Sequence, residues 1–285
     1  MRLVVLLLFV LNQSVVAQPL IDIASLNYSY HRPLKFTNNE SSTLQYTNFF
    51  LTLPIKNGNN IFIINPSFDR FDFRLRQQDK HYMSGQLTLT WQHEWKNKRF
   101  KTAFVFIPKS ISESKYWLQK DSYQIGGAIL QTYQPSEQIS YKLGVYYNSE
   151  FFGPYFLPLL GLDYCITPRW NLWGILPASL NGEYKAVINK LHFLVSLKTM
   201  TLSYRKDDSY YLRTNDNLLR IAADFYIKKN NVLFLETGHS VFRKFVLGTK
   251  NRNIDSQSSM SVQNSWFMRL GYTYRVRLDN FQRGK

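Results

Sequence analysis

The chain has 285 residues, 35 Lys and Arg against 19 Asp and Glu, a net charge of +16 and one cysteine. That length suits one large β-domain. The lone Cys165 excludes an internal disulfide, and no basic helix or nucleic-acid motif accompanies the positive charge, so no nucleic-acid partner is expected. Mean hydropathy is −0.29, too low to flag a helical membrane protein.

Residues 1–17 read as an export signal. Arg2 supplies the positive start, Leu3 to Leu11 the short apolar run, and Val15-Val16-Ala17 the small-residue cleavage site. The expected organisation is therefore a signal peptide over 1–17, cleaved near Ala17, and one β-barrel domain over 18–285. The apolar run is short for a transmembrane helix, which needs about 20 residues. The longest later apolar stretch, Tyr155 to Leu162, is interrupted by Pro158 and Gly161. A membrane-embedded chain of this kind must cross with strands.

From there, strand-like segments alternate with turn signals. The predicted strands span 20–31, 43–56, 60–73, 82–95, 98–108, 121–133, 138–151, 155–166, 169–177, 181–188, 191–204, 217–227, 232–246 and 263–277. The connections alternate in length. Short ones include Asn57-Gly58-Asn59-Asn60, Lys96-Asn97-Lys98, Thr167-Pro168 and Asn189-Lys190. Longer ones are predicted near 32–42, 74–81, 109–120, 205–216 and 247–262, with compact turns near 152–154 and 178–180. Outer-membrane barrels have short periplasmic turns and longer outer loops. The beat predicts an all-β, single transmembrane antiparallel up-and-down barrel of about 14 strands, with 12 the alternative, and both termini in the periplasm.

The facing pattern supports a lipid-exposed outside. Leu87, Leu89, Trp91 and Trp95 alternate with Gln86, Thr88, Thr90, Gln92 and Glu94. Ile139, Tyr141, Leu143, Val145 and Tyr147 alternate with Ser140, Lys142, Gly144 and Asn148. In the last strand, Trp266, Met268, Leu270, Tyr272, Tyr274 and Val276 oppose Arg269, Gly271, Thr273 and Arg275, with Phe267 the apolar exception. A soluble barrel must be polar outside; a barrel in lipid is apolar outside. Two segments depart from the pattern. Residues 60–66 are nearly all apolar, and 191–204 loses its alternation after Leu197. Trp95, Tyr133, Trp170, Trp266 and Tyr274 fall near strand ends, where interfacial rings gather. Cys165 falls within a predicted strand and reads as a small buried hydrophobe.

Polar residues assigned to the lumen are Glu94, Lys142, Asp163, Arg220, Asp224, Arg269 and Arg275. They serve either as a structural bracing network or as the lining of a solute path. Asp224 and Arg269 lie two strands apart, within bridging reach. No catalytic residue is predicted. The five histidines His31, His81, His93, His192 and His239 have no Ser at the same-face i+2 position. HExxH, GxSxG and Walker sequences are absent, and the scattered His and single Cys lack metal-ligand spacing, so no cofactor is expected.

From Leu143 to Tyr184 the sequence resembles a domain-of-unknown-function family of bacterial outer-membrane β-barrel proteins. The residues that carry it are Gly144, Tyr146, Tyr147, Phe151-Phe152-Gly153-Pro154, Pro158, Leu159, Gly161-Leu162-Asp163, Trp170, Leu172, Gly174, Leu176-Pro177 and Tyr184. The resemblance implies a barrel in the outer membrane of a Gram-negative bacterium and carries no substrate or catalytic residue. Such barrels usually end in an aromatic residue; here Phe281 is followed by Gln282-Arg283-Gly284-Lys285. Pro158 costs a ladder hydrogen bond and suggests a bulge or a local opening in the pairing. The expected function is a non-catalytic structural barrel or passive small-solute pore. The alternatives are an envelope lipid-modifying enzyme and a secreted soluble barrel with an apolar ligand. Expected partners are outer-membrane lipid, the barrel-assembly machinery and small anionic solutes.

Overall fold

The computed structural model describes residues 19–35, 41–75, 78–249 and 258–278. The predicted signal peptide at 1–17 and the residues around Phe281 lie outside them. Sixteen strands join one sheet: β1 (Leu20–Lys35), β2 (Ser41–Leu51), β3 (Leu53–Asn57), β4 (Asn60–Leu75), β5 (Gln78–Glu94), β6 (Phe100–Glu113), β7 (Tyr123–Tyr133), β8 (Ile139–Glu150), β9 (Gly153–Cys165), β10 (Trp170–Leu176), β11 (Ser179–Val187), β12 (Leu191–Arg205), β13 (Tyr210–Lys228), β14 (Asn231–Thr249), β15 (Ser258–Ser261) and β16 (Trp266–Arg277). Neighbours in sequence are neighbours in the sheet. β1 pairs β16, β16 pairs β14, and β14 pairs β13, which closes the ring. β2 and β3 both lie along β4 and form one interrupted stave. β15 only extends the far end of β14. Fourteen staves therefore make the wall, each matching one predicted strand.

The break between β2 and β3 has a local cause. Pro66 of β4 stands opposite it and has no N–H for the ladder. The Asn65 side-chain amide donates instead to the Leu51 carbonyl at 2.5 Å and to Thr52 Oγ1 at 2.9 Å. At the Asn57–Asn60 hairpin, Gly58 takes φ of +57°, as a tight two-residue turn requires.

Short turns join β3 to β4, β5 to β6, β7 to β8, β9 to β10, β11 to β12 and β13 to β14, at the end that also holds both ends of the described chain; this is the turn end. The remaining connections lie at the loop end. On that side the strands run further than predicted. β13 begins at Tyr210 rather than 217, β6 runs to Glu113, and β4 and β5 reach Leu75 and Gln78. Polar residues that suggested long loops there, such as Lys109, Glu113, Arg213 and Asn215, are strand residues.

The apolar set faces outward. Leu143, Val145, Leu219, Ile221, Met268 and Leu270 are exposed, while Ser25, Ser140, Asn148, Asp224 and Thr273 are buried inside the ring. This orientation suits acyl chains and removes the soluble alternative, because a water-exposed wall of this kind would bury its polar side. Among the described residues no helix is long and apolar enough to cross a membrane. Near the turn end, rings pair across strands on the outer face: Phe100 with Tyr133 at 4.9 Å and Trp170 with Tyr184 at 4.6 Å. Two expectations fail in detail. Val276, between the inward Arg275 and Arg277, is buried where the rest of its face is exposed or half-buried. Cys165 closes β9 at the turn end and is half-buried, not part of a core.

Candidate functional site: the barrel lumen

Strand alternation turns every second residue inward, so the lumen is built from residues distant in sequence. Its interior divides into three zones along the barrel axis.

The turn end holds an ionic cluster. Glu183 of β11, fully buried, accepts from Arg277 of β16 at both carboxylate oxygens, with Nη2 to Oε2 at 2.7 Å. Its Oε1 also meets His192 Nδ1 at 2.8 Å, and Asn171 Nδ2 donates to Oε2 at 2.7 Å. Tyr226 Oη accepts from Arg277 at 3.0 Å. Beside it, Arg275 bridges Asp22, at 2.6 Å from Nε to Oδ1, and Asp224. Arg277 thus reaches past β14, β13 and β12 to meet β11 across the lumen.

The middle holds a cavity of about 410 Å³, lined in part by Tyr46, Lys198, Arg220, Glu236 and Arg269. Glu236 of β14 is shared by Arg220 of β13 at 3.3 Å and Arg269 of β16 at 3.0 Å. Arg220 Nε and Arg269 Nε are buried without hydrogen-bond partners among the described residues. Lys198 of β12 forms no ion pair among those residues. Asp69 accepts from Tyr46 Oη and from Asn48 Nδ2, the latter at 2.6 Å. A second cavity of about 620 Å³ opens off the first toward β8–β11 and shares Lys198 with it.

The loop end carries an apolar cluster. Phe71 and Phe73 of β4, Tyr82 of β5, Ile111 of β6, Tyr204 of β12, Leu212 of β13 and Phe245 of β14 form a buried cluster inside the ring. Phe71 stacks on Tyr204 at 5.7 Å, and Phe73 meets Phe245 edge-on at 5.9 Å. Here the end of β12 meets β6 on the edge away from β13. Arg205 bridges Ser112 of β6 in parallel, and Glu150, itself paired with Lys109 at 3.0 Å, accepts from the Ser203 N–H at 3.1 Å.

The seven lumen candidates are placed as follows. Arg220, Asp224, Arg269 and Arg275 line the central cavity, and Lys142 and Asp163 line the second, paired at 2.6 Å. Glu94 pairs with Lys101 at 3.3 Å near the turn end and lines neither. The suggested Asp224–Arg269 bridge does not form: each charge takes a nearer partner, Arg275 for Asp224 and Glu236 for Arg269. Sequence reasoning missed Glu183, Arg277, His192, Lys198 and Glu236. Glu236 was legible in principle, since it alternates with the exposed Leu233 and Leu235. Among the described residues no group of acidic, His or Cys side chains is arranged to hold a metal ion. His81 is held by Asp72 at 2.6 Å and by Arg70, not by a hydroxyl.

The chain belongs to the domain-of-unknown-function family DUF6268, whose model matches residues 67–275. It is similar to the COG4313 outer membrane channel from Pseudomonas putida F1, with 8% identity over 93% of this chain and 98% of that one, at a TM-score of 0.51. A Pseudomonas aeruginosa FadL homologue shares 8% identity over 90% of each chain, at a TM-score of 0.44. At such identity the likeness is one of fold, that of outer-membrane β-barrels. No curated protein matches the chain.

Proposed function

We propose that this member of the family is a passive, non-catalytic small-solute pore in the outer membrane of a Gram-negative bacterium, with a preference for anions. The observation that carries this reading is the middle of the central cavity, where Lys198, Arg220 and Arg269 gather about Glu236, while the other carboxylates there are engaged elsewhere, Asp22 and Asp224 by Arg275, Asp216 by Arg243 and Asp69 by Tyr46 and Asn48. A basic waist in a low-dielectric ring concentrates anions and repels cations. The outward apolar band and the turn-end rings support residence in lipid. The exposed Tyr272 of β16, with Tyr274 further along the same face, is the feature offered to the barrel-assembly machinery.

The test is current through single proteins in planar bilayers under a salt gradient. A reversal potential on the anion side is expected, moving toward zero in Arg220→Gln and Arg269→Gln. Absence of current across the protein leaves the purely structural barrel as the better reading. The lipid-modifying alternative gains nothing from His81, whose partners are charged groups rather than a nucleophile.

A further inference from the structure

The ring is not laddered all the way round. β10 and β11 are short. β10 pairs β9 only from Leu160 to Cys165, and β11 pairs β12 only from Leu191 to Lys198. Above the hairpin tip at Pro177 and Ala178, β9 runs on through Gly153–Leu159 and β12 through Thr199–Arg205. No strand among the described residues pairs with this β9 edge, and a strand meets the β12 edge only at its far end, where Arg205 pairs with Ser112 of β6. The free β9 edge is about 20 Å long at the usual rise per residue.

Two prolines fit this edge. Cys165 donates its N–H to Gln138, on the β8 side, at 2.8 Å. N–H directions alternate along a strand, and β9 pairs β8 without a register shift. Even-numbered β9 residues therefore direct their N–H away from β8, into the gap. Pro154 and Pro158 stand at such positions, where a missing donor costs nothing.

The top of the gap is clasped. Phe151 N–H donates to Ser203 Oγ at 2.9 Å, and the Phe152 ring lies 4.1 Å from the Arg213 guanidinium. Gly153 turns the chain there with φ of +122°, a region that disfavours side chains. The result is a window in the wall, with β9 and β12 as jambs, the β10–β11 tip as sill and the Phe151–Gly153 turn as lintel. Its inner rim is apolar, with Leu157, Leu159, Met200 and Leu202, and the cavity behind it reaches Lys198.

We infer that this window is a lateral portal between the lumen and the membrane, taken by an amphipath with one anionic head and an apolar chain. The head lies at Lys198, which lines both cavities and forms no ion pair among the described residues; the chain lies across the apolar rim toward lipid. This rests on the channel reading for its destination, and it adds a route through the wall.

The experiment uses the full chain in phospholipid vesicles, with Cys165→Ser and a single reporter, Asn181→Cys, whose position lines both cavities. N-(1-pyrenyl)maleimide is supplied in the bilayer and a membrane-impermeant sulfonated maleimide in the water. Labelling from the bilayer at least tenfold faster than from water is expected, falling at least tenfold when Ala178→Trp and Thr201→Trp fill the window. Heat-modifiable gel mobility verifies that each variant folds, and Leu157→Phe gives a milder filling. Laurate is expected to slow labelling at least fivefold, lauryl alcohol less, and Lys198→Met to remove the difference. Equal labelling from both phases, or labelling that ignores the filled rim, overturns the portal. Equal protection by laurate and lauryl alcohol overturns the head assignment. Currents recorded from the same preparations report separately on the pore.

Discussion

The two ends of the lumen are narrowed by different chemistry. At the turn end, Glu183 gathers Arg277, His192 and Asn171 around one carboxylate. At the loop end, Phe71, Tyr204 and Phe245 fill the same interior with rings. Both ends obey one parity rule, since inward positions alternate along each strand. They differ in how they fail. An ionic cluster loses most when one partner is removed, because the remaining charge stays buried without compensation. An apolar cluster loses in proportion to the volume removed, and water can enter a cavity at a mouth.

The largest effect is expected at the ionic end. Glu183→Gln removes the carboxylate that accepts from both Arg277 Nη1 and Nη2, and a loss of about 3–5 kcal/mol is expected. The check is the temperature at which gel mobility shifts from folded to unfolded. Pairing it with Arg277→Met is expected to restore part of the loss, whereas a bracing role for Glu183 independent of charge predicts no recovery.

Phe245→Ala tests the other end. The usual cost of truncating a core aromatic is about 3–5 kcal/mol. Less than that is expected here, about 2–3 kcal/mol, because the site borders the loop-end mouth and can hydrate. Single-protein current is expected to rise with it, since the ring narrows the lumen. An unchanged current would move the constriction elsewhere.

The lintel and the wall give smaller effects. Gly153→Ala forces a side chain into a backbone region it disfavours, and a loss of about 1–2 kcal/mol is expected from the same mobility assay. Glu94→Gln removes an ion pair in which Lys101 is buried but keeps a further interaction and the Glu94 carboxylate is 23% exposed near the turns, and about 0–1 kcal/mol is expected. A large effect at Glu94 would contradict the contrast between buried and rim charges.

The same contrast explains what the sequence disclosed. Where the interior is polar, as along β13 and β16, the period of two marks inside from outside, and Arg220, Asp224, Arg269 and Arg275 stand out. Where the interior is apolar, the signal vanishes although the geometry persists. β12 is the clearest example: Lys198, Met200, Leu202 and Tyr204 all line the interior, but three of them are as apolar as a lipid-facing residue. β14 hides Arg243 differently. Phe242 takes φ of +55° and is highly exposed, and the register shift beside it reverses which residues face inward. Partner choice across the lumen was illegible, because the approach of β11 to β16 depends on the cross-section of the ring rather than on spacing along the chain. The Phe151-Phe152-Gly153-Pro154 run was visible as a compact turn; only the short β10–β11 hairpin beside it reveals what it clasps.

The central claim is that alternate strand residues divide between acyl chains and an aqueous interior. Nitroxide labels placed one at a time from 218 to 225 on β13, in vesicles, test it most directly through their relaxation by oxygen and by a water-soluble nickel chelate. The account predicts that odd positions favour oxygen and even positions favour nickel or are shielded from both. A reversed alternation, or equal nickel access at every position, would contradict it.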